Sequence, residues 1–449
     1  MNITGRLAEF VSRRQFDDLS PETTIASKQC LLDFLGVTIA ASEEPLVRTV
    51  KEQLEEEGGH PQATIVAGGK KLSTSQAALI NGCASHAHDY DDVHPAMSGH
   101  PTVPVAPAVL ALAEFQNRSG RDLILALVTG IDAECIVGRY LGPSHYARGF
   151  HATGTLGTLG SAAACAKLLG LDAGTTCNAL GIAATQAAGL KSMFGSMCKP
   201  FHAGKAAANG LLAAQLAARG FDSQQAVLEI EQGFGLTHAD QLSESNFDRA
   251  LAQVSFVPTT LFKYHAACYL THSALEAAGA LRSEAKIDPD DIEAVGITVN
   301  RGHFSVCNIQ EPATGLEAKF SLRFATAMVL SGIDTAGVEQ FNDAVTQQPA
   351  MVSLRDRISV TAFPEEGHPE SAVRILLKSG VEYKKDWNVG IPETDLDKQQ
   401  GKLTEKFRSL VDPVLGEQRS KQIVSLVSSL EDHQSVEQLC ESVRGTVGV

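Results

Sequence analysis

Residues 86–101 read His-Ala-His-Asp-Tyr-Asp-Asp-Val-His-Pro-Ala-Met-Ser-Gly-His-Pro, so four histidines and three aspartates crowd one short stretch. The rest of the chain is rich in alanine and weakly charged. A cluster of this kind is costly near a core unless its charges are paired, hold a metal or take part in chemistry. Asp89 and His100 are the strongest candidates. His100 sits in Gly99-His100-Pro101, a rigid turn ahead of a helix starting near Pro104, and a helix N-terminus favours anions. Asp91 and Asp92 read equally well as functional groups or as structural ones that cap a helix or pair with nearby bases, and for His86 and His94 the structural reading is favoured.

Three more segments carry reactive side chains. Arg148–Gly154 brings His151 and Thr153, followed by glycines at 157 and 160. The spacing Gly-x-x-Gly-x-x-Gly is not a dinucleotide fingerprint and no strand precedes it, which excludes a Rossmann loop. A loop feeding a helix fits better, with His151 and Thr153 at its mouth. Lys199-Pro-Phe-His-Ala-Gly-Lys205 precedes an alanine-rich helix and offers compact cations suited to carboxylates. Lys263-Tyr-His-Ala-Ala-Cys268 falls where the texture of the chain changes. Cys268 there could be a nucleophile, but an isolated cysteine is more often inert.

A zinc-hydrolase reading would use His86, His88 and Asp89. The His-x-His-x-Asp-His pattern fails, because position 90 is Tyr and position 91 is Asp. No nucleophile elbow or phosphate loop accompanies the four segments. Cations, imidazoles and a carboxylate together suit removal of a proton next to a carboxylate, with lysines stabilising the enolate and a histidine moving the proton.

Composition narrows the class. The chain has 449 residues, 44 % apolar and 20 % charged, with a net charge of −15. That charge argues against a nucleic-acid partner, which needs a basic face. No apolar run of about 18 residues is present to span a membrane. Nine cysteines occur without any Cys-x-x-Cys, and no cationic start with an apolar run is seen, so a reduced cytoplasm is expected.

The elements that must position these residues are mostly helices. Leu31–Ala41, Ser73–Ala87, Pro104–Phe115, Asp122–Val137, Gly160–Leu169, Thr176–Leu190 and Ala203–Arg219 carry helical patterns, with Gly170 and Gly220 as stops. After Pro258, Ile292–Val299, Arg357–Ala362 and Ala372–Val389 read as strands, the last as a hairpin around Lys378-Ser379-Gly380. Helices over Cys268–Leu281 and Glu317–Leu330 interleave with them, and Asp395–Val443 is amphipathic helix again. The fold class is therefore mainly α, with a smaller α+β part. Three regions are expected: 1–256 helical, 257–392 α+β, and 393–449 returning to the helical part.

Six blocks, in order, resemble the MmgE/PrpD family of 2-methylcitrate dehydratases and cis-aconitate decarboxylases. They are HAHDYDDVHPAMSGHPTVPVAPAVLALAE, GFHATGTLGTLGSAAACAKLLGLD, ALGIAATQAAGL, KPFHAGKAAANGLLAA, KYHAACYLTH and EAKFSLRFA. The resemblance implies a helical domain with an α+β lid, a site between them, a homodimer and catalysis without metal or organic cofactor. Its polar site residues fall on Asp89, His100, His151, Lys199 and Lys263. Where the decarboxylases have Thr, His and Tyr, this chain has Val93, Cys268 and Phe324. MSGHP with FGSMCKPFHAGKAAANG is similar to the iminodisuccinate epimerase branch.

The resulting expectation is a cofactor-independent lyase, a dehydratase or decarboxylase, acting on a small citrate- or aconitate-like polycarboxylate by α-proton abstraction. His151, His100 and Asp89 would be catalytic. Lys199, Lys263, Cys268 and Thr153 would bind substrate. The competing readings are an epimerase of a dicarboxylate, a metal-dependent hydrolase and a non-catalytic carboxylate-binding protein.

Overall fold

Side-chain oxygens decide where several helices begin. In the computed structural model, which describes residues 3–364 and 370–445, Ser73 Oγ accepts from the Gln76 N–H (3.3 Å) and the Gln76 side chain accepts from the Ser73 N–H (3.2 Å). This reciprocal capping box starts the following helix at Thr74. Ser119 and Asp122 repeat the device.

In chain order, the first elements are α1 (Ile3–Arg13), α2 (Pro21–Ala40), α3 (Pro45–Glu57), the short pair β1 (Ala63–Thr64) and β2 (Lys71–Leu72), α4 (Thr74–Ala87), α5 (Thr102–Phe115) and α6 (Gly120–Leu141). There follow α7 (Ser144–Ala147), α8 (Ala152–Leu169), α9 (Ala173–Ala184), α10 (Cys198–Ala217), α11 (Phe234–His238) and α12 (Glu244–Leu251). The α+β part holds α13 (Tyr269–Ala285), β3 (Ile292–Val299), α14 (Arg301–Val306), α15 (Gly315–Ala318), α16 (Leu322–Leu330), α17 (Asp343–Thr346), α18 (Pro349–Arg355), β4 (Ile358–Ala362), β5 (Ser371–Leu377) and β6 (Glu382–Trp387). The tail forms α19 (Leu396–Leu415), α20 (Glu417–Ser428) and α21 (Glu437–Val443). The chain divides into two compact units, residues 1–260 with 393–449, and residues 261–392.

The second unit is built on a four-stranded sheet of order β4-β3-β5-β6. β3 runs parallel to β4 and antiparallel to β5, pairing Val295 with Ile375 and Ile297 with Val373. These four side chains are buried with Leu281 and Leu330 in one apolar cluster. Gly380, at φ +84°, turns the β5–β6 hairpin.

In the first unit, small residues let helices approach closely. A Cβ on Gly82 of α4 would stand 2.7 Å from the Cα of Gly204 in α10, so the two backbones meet there. The same constraint explains why α8 begins at Ala152 and not at Gly160. Gly157 faces Pro104 and Gly160 faces Gly130 of α6, so tertiary packing overrides the helical cost of glycine. α10 likewise starts at Cys198, five residues earlier than the pattern implied, because Pro200 lies in its first turn, where no intrahelical N–H is needed. Two expected helices are shorter. α9 stops at Ala184, and the 317–330 stretch divides where Ser321 caps α16.

The segment between α4 and α5 is pinned rather than free. Asp89 and Ser98 adopt left-handed backbone (φ +53° and +52°), and the His94 N–H donates to Gly99 O (2.9 Å). His94 Nδ1 accepts from the Ala96 N–H (3.0 Å), while Nε2 lies 3.1 Å from Phe256 O. Those bonds fix a neutral tautomer with its proton on Nε2. Burial, aided by the charge of Arg139, lowers His94 to about 4. From the tail, Lys406 Nζ reaches Asp33 Oδ1 (2.6 Å) and Tyr90 O (2.8 Å), tying α19 to α2 and to this segment.

Two outcomes follow. Gly82→Ala should lower stability by about 1–3 kcal/mol, read from the urea midpoint, because its new methyl meets backbone. The unfolded chain protonates His94 near 6.5 and the native chain only near 4. Its contribution is therefore complete above 6.5 and lost as pH falls towards 4. The stability gap between wild type and His94→Gln should narrow over that window in denaturation measured at stepped pH.

Candidate active site

Three helix ends in the first unit converge on one cluster. α4 brings His86 in its last turn, the pinned segment brings Asp89, Asp91 and His100, α8 brings His151 as its N-cap, and α10 brings Lys199 and His202 in its first two turns. Lys199 Nζ stands 2.8 Å from Asp89 Oδ1, and His100 Nε2 stands 3.6 Å from the same oxygen. His100 Nδ1 makes an ion-pair contact of 2.8 Å with Asp91 Oδ2. On its other side Asp91 meets His86 Nδ1, at 2.9 Å and 3.0 Å from its two oxygens. Asp91 is thus bracketed by two imidazoles, whose ring centres lie 4.4 Å apart. His86 in turn stacks on His151 at 5.7 Å.

These groups are enclosed. Lys199 is 7 % exposed, His151 2 %, and His86 and Asp91 1 % each. The Nε2 atoms of His86 and His151 are buried with no hydrogen-bond partner among the described residues. Burial acts first on every charge here. It lowers His86 to about 4, with Lys199 and His100 adding to it against the pull of Asp91. Burial and the charges of His86, Lys199, His100 and His202 hold His151 well below the usual histidine value. For Asp91, burial pushes upward, but His100 and His86 outweigh it and hold the carboxyl well below the usual range. Burial and the charge of Asp33 push the adjacent Asp92 up to about 8, against its hydrogen bonds from the Thr102 N–H and hydroxyl. At neutral pH the cluster therefore holds the neutral imidazoles of His86 and His151 beside a paired ammonium. That is a setting in which an imidazole can accept a proton while positive charge faces an anion.

Four of the sequence-selected residues, Asp89, His100, His151 and Lys199, are brought together. Thr153 joins them, with its Oγ1 accepting from the His100 N–H (3.1 Å) and so fixing the His100 backbone. Lys263 and Cys268 belong to the second unit. Lys263 is buried, and Cys268 precedes α13 with its N–H donating to Lys319 O (3.0 Å). The segments around His151 and Lys199 were read as loops ahead of helices, yet each is helix start. His86, Asp91 and His202 are the members that the sequence leaves outside the proton-transfer set, although Asp91 does pair with nearby bases as one of its readings has it. Lys199 and His202 are three residues apart on one helix, a spacing that shares a face once α10 is known to begin at Cys198.

His86, Asp89, Asp91 and His100 can each present one ligand atom, all within 4.8 Å of one another. The Lys199 ammonium already stands against Asp89, and a dication would be set beside that charge. His88, the partner of His86 in the His-x-His spacing, turns instead towards Glu44 (3.9 Å).

Residues 5–244 match the MmgE/PrpD N-terminal domain and residues 265–432 the MmgE/PrpD C-terminal domain. The cis-aconitate decarboxylase of Homo sapiens is 28 % identical over 99 % of this chain and 95 % of its own length. That of Mus musculus is 27 % identical over 99 % and 94 %. That of Aspergillus terreus (strain NIH 2624 / FGSC A1156) is 27 % identical over 98 % and 95 %. With both family domains matched across most of its length, this chain belongs to the MmgE/PrpD family.

Proposed function

We propose that the chain is a cofactor-independent lyase that forms a carbanion next to a carboxylate in a small citrate- or aconitate-like polycarboxylate. The observation that carries this reading is the enclosed Lys199–Asp89 pair beside the imidazoles of His100 and His151. The cis-aconitate decarboxylases among its relatives support the substrate class.

A substrate carboxylate takes Lys199 as its counter-ion, and the ammonium stabilises the enediolate that develops. His151, with Nε2 unpartnered, exchanges the proton at carbon. His100, braced by Asp91, serves the departing or arriving group, and Asp89 shares the ammonium. Lys263 and Cys268 are further substrate-binding candidates on the second unit. In elimination, the base removes the α-proton and hydroxide leaves as water. In decarboxylation, the bond to the departing carboxylate breaks, carbon dioxide leaves, the electron pair stays on carbon, and an acid protonates the carbanion so formed. The presence of two imidazoles favours one second reading, an epimerase of a dicarboxylate, in which the carbanion regains its proton on the other face. The nine cysteines, none of them in a disulfide among the described residues, support a reducing, cytoplasmic setting, and no described helix is long and apolar enough to cross a membrane. Family membership supports a homodimer.

Incubation with citrate, cis-aconitate, methylcitrate or iminodisuccinate in deuterium oxide should place deuterium on carbon in product or recovered substrate. Absence of exchange and turnover with all four would leave a carboxylate-binding protein. Lys199→Ala should lower kcat/KM by about 10²-fold or more with an unchanged circular dichroism spectrum. Activity should survive exhaustive chelation, whereas loss restored by one equivalent of zinc would favour a hydrolase.

A further inference from the structure

His151 and His202 meet through like atoms. Their Nδ1 nitrogens are 3.0 Å apart, so one must carry a proton and the other must offer a lone pair. Two other rings pack against the His151 ring. His86 lies on its face, and the Phe194 ring meets it edge-on at 5.0 Å. Among the described residues, Nε2 is enclosed without a partner, and the hydrogen bond of the His151 ring is the one to His202.

The pair is built, not incidental. The His151 N–H donates to Gly189 O (3.0 Å), and a Cβ on Gly189 would come within 3.4 Å of His202 Cγ. A Cβ on Gly154 would stand 3.1 Å from His202 Cβ. Glycine at both positions leaves room for the second imidazole. His202 is only half-buried, unlike His151, so it joins an enclosed nitrogen to a more accessible one.

Charge supplies the need for such a connection. A proton taken up at His151 would create an imidazolium near the Lys199 ammonium, in a place where burial already disfavours charge. A neutral second imidazole lets that charge move outward.

We propose that His202 is a positioning residue that holds His151 in the tautomer with its proton on Nδ1 and passes that proton towards solvent. When His151 Nε2 takes the substrate hydrogen as a proton, the C–H electron pair stays on carbon. The His151 Nδ1–H bond breaks as His202 Nδ1 gains the proton, and His202 Nε2 releases its own proton to water or buffer. Both rings end neutral, and the reverse sequence returns a proton to carbon. This inference rests on the proton-transfer reading of the site given above.

The test uses the full-length protein and the substrate that shows exchange in deuterium oxide. His202→Asn keeps a polar atom near the Nδ1 position but cannot conduct a proton through a ring. It should leave KM within about twofold and lower kcat by about 10–100-fold. Added imidazole buffer should restore the rate in proportion to its concentration, while wild type should stay indifferent to buffer. Wild-type kcat in the folded variant, or a loss that imidazole leaves untouched, overturns the relay. Nitrogen-15 spectra of the unaltered protein decide the tautomer independently of turnover and of the variant's folding. A His151 ring protonated on Nδ1 and hydrogen-bonded there supports the inference, and one protonated on Nε2 alone overturns it. If wild type exchanges no substrate hydrogen, the functional reading fails separately, and the spectra still judge the pair.

Discussion

A buried ammonium needs a counter-charge, and in this protein the requirement organises the whole cluster. Lys199 is held away from water and lies against Asp89. Isolated in the interior, either charge would be too costly to keep. Together they form a compact pair whose charges balance. Asp89 reaches Lys199 from a left-handed backbone, a conformation that aspartate tolerates better than most residues. Asp91, two residues on, meets a different need by bracing His86 and His100 at once.

That arrangement depends on helices that come closer than ordinary side chains allow. The cluster draws on α4, α8 and α10, and the same helices carry the glycines at which backbones meet. Gly82 and Gly204 bring the helix ending at His86 against the helix beginning with Lys199. Gly157 sits on Pro104, so the helix capped by His151 lies on the one that follows His100. The alanine and glycine content is thus more than a sign of helical packing. It sets how near the ionisable groups on separate helices can be brought.

Much of the candidate site was legible in the sequence, since Asp89, His100, His151 and Lys199 stand out as ionisable residues in an apolar, weakly charged chain. The strands were legible for a similar reason, since Ile292–Val299 alternates in burial and Gly380 marks the hairpin turn. What escaped depended on tertiary context. His86 looked like a core histidine on a helix, and only the fold of residues 88–100 back onto it gives it Asp91 as a partner. His202 seemed one more polar residue in a loop, because Pro200 hid the true start of α10. The early start of α8 was missed because three glycines weaken a helix in isolation and strengthen it once neighbours press on that face.

Lys406 links the last part of the chain to Asp33 and to the carbonyl of Tyr90, one residue after Asp89. More than three hundred residues separate Tyr90 from that lysine, and the whole second unit is threaded between them. During synthesis on the ribosome, the first 260 residues emerge long before Lys406 does. The segment bearing Asp89 and His100 thus acquires its final tether only after the second unit has been synthesised, so the helical unit is completed by a segment that follows that unit in the chain.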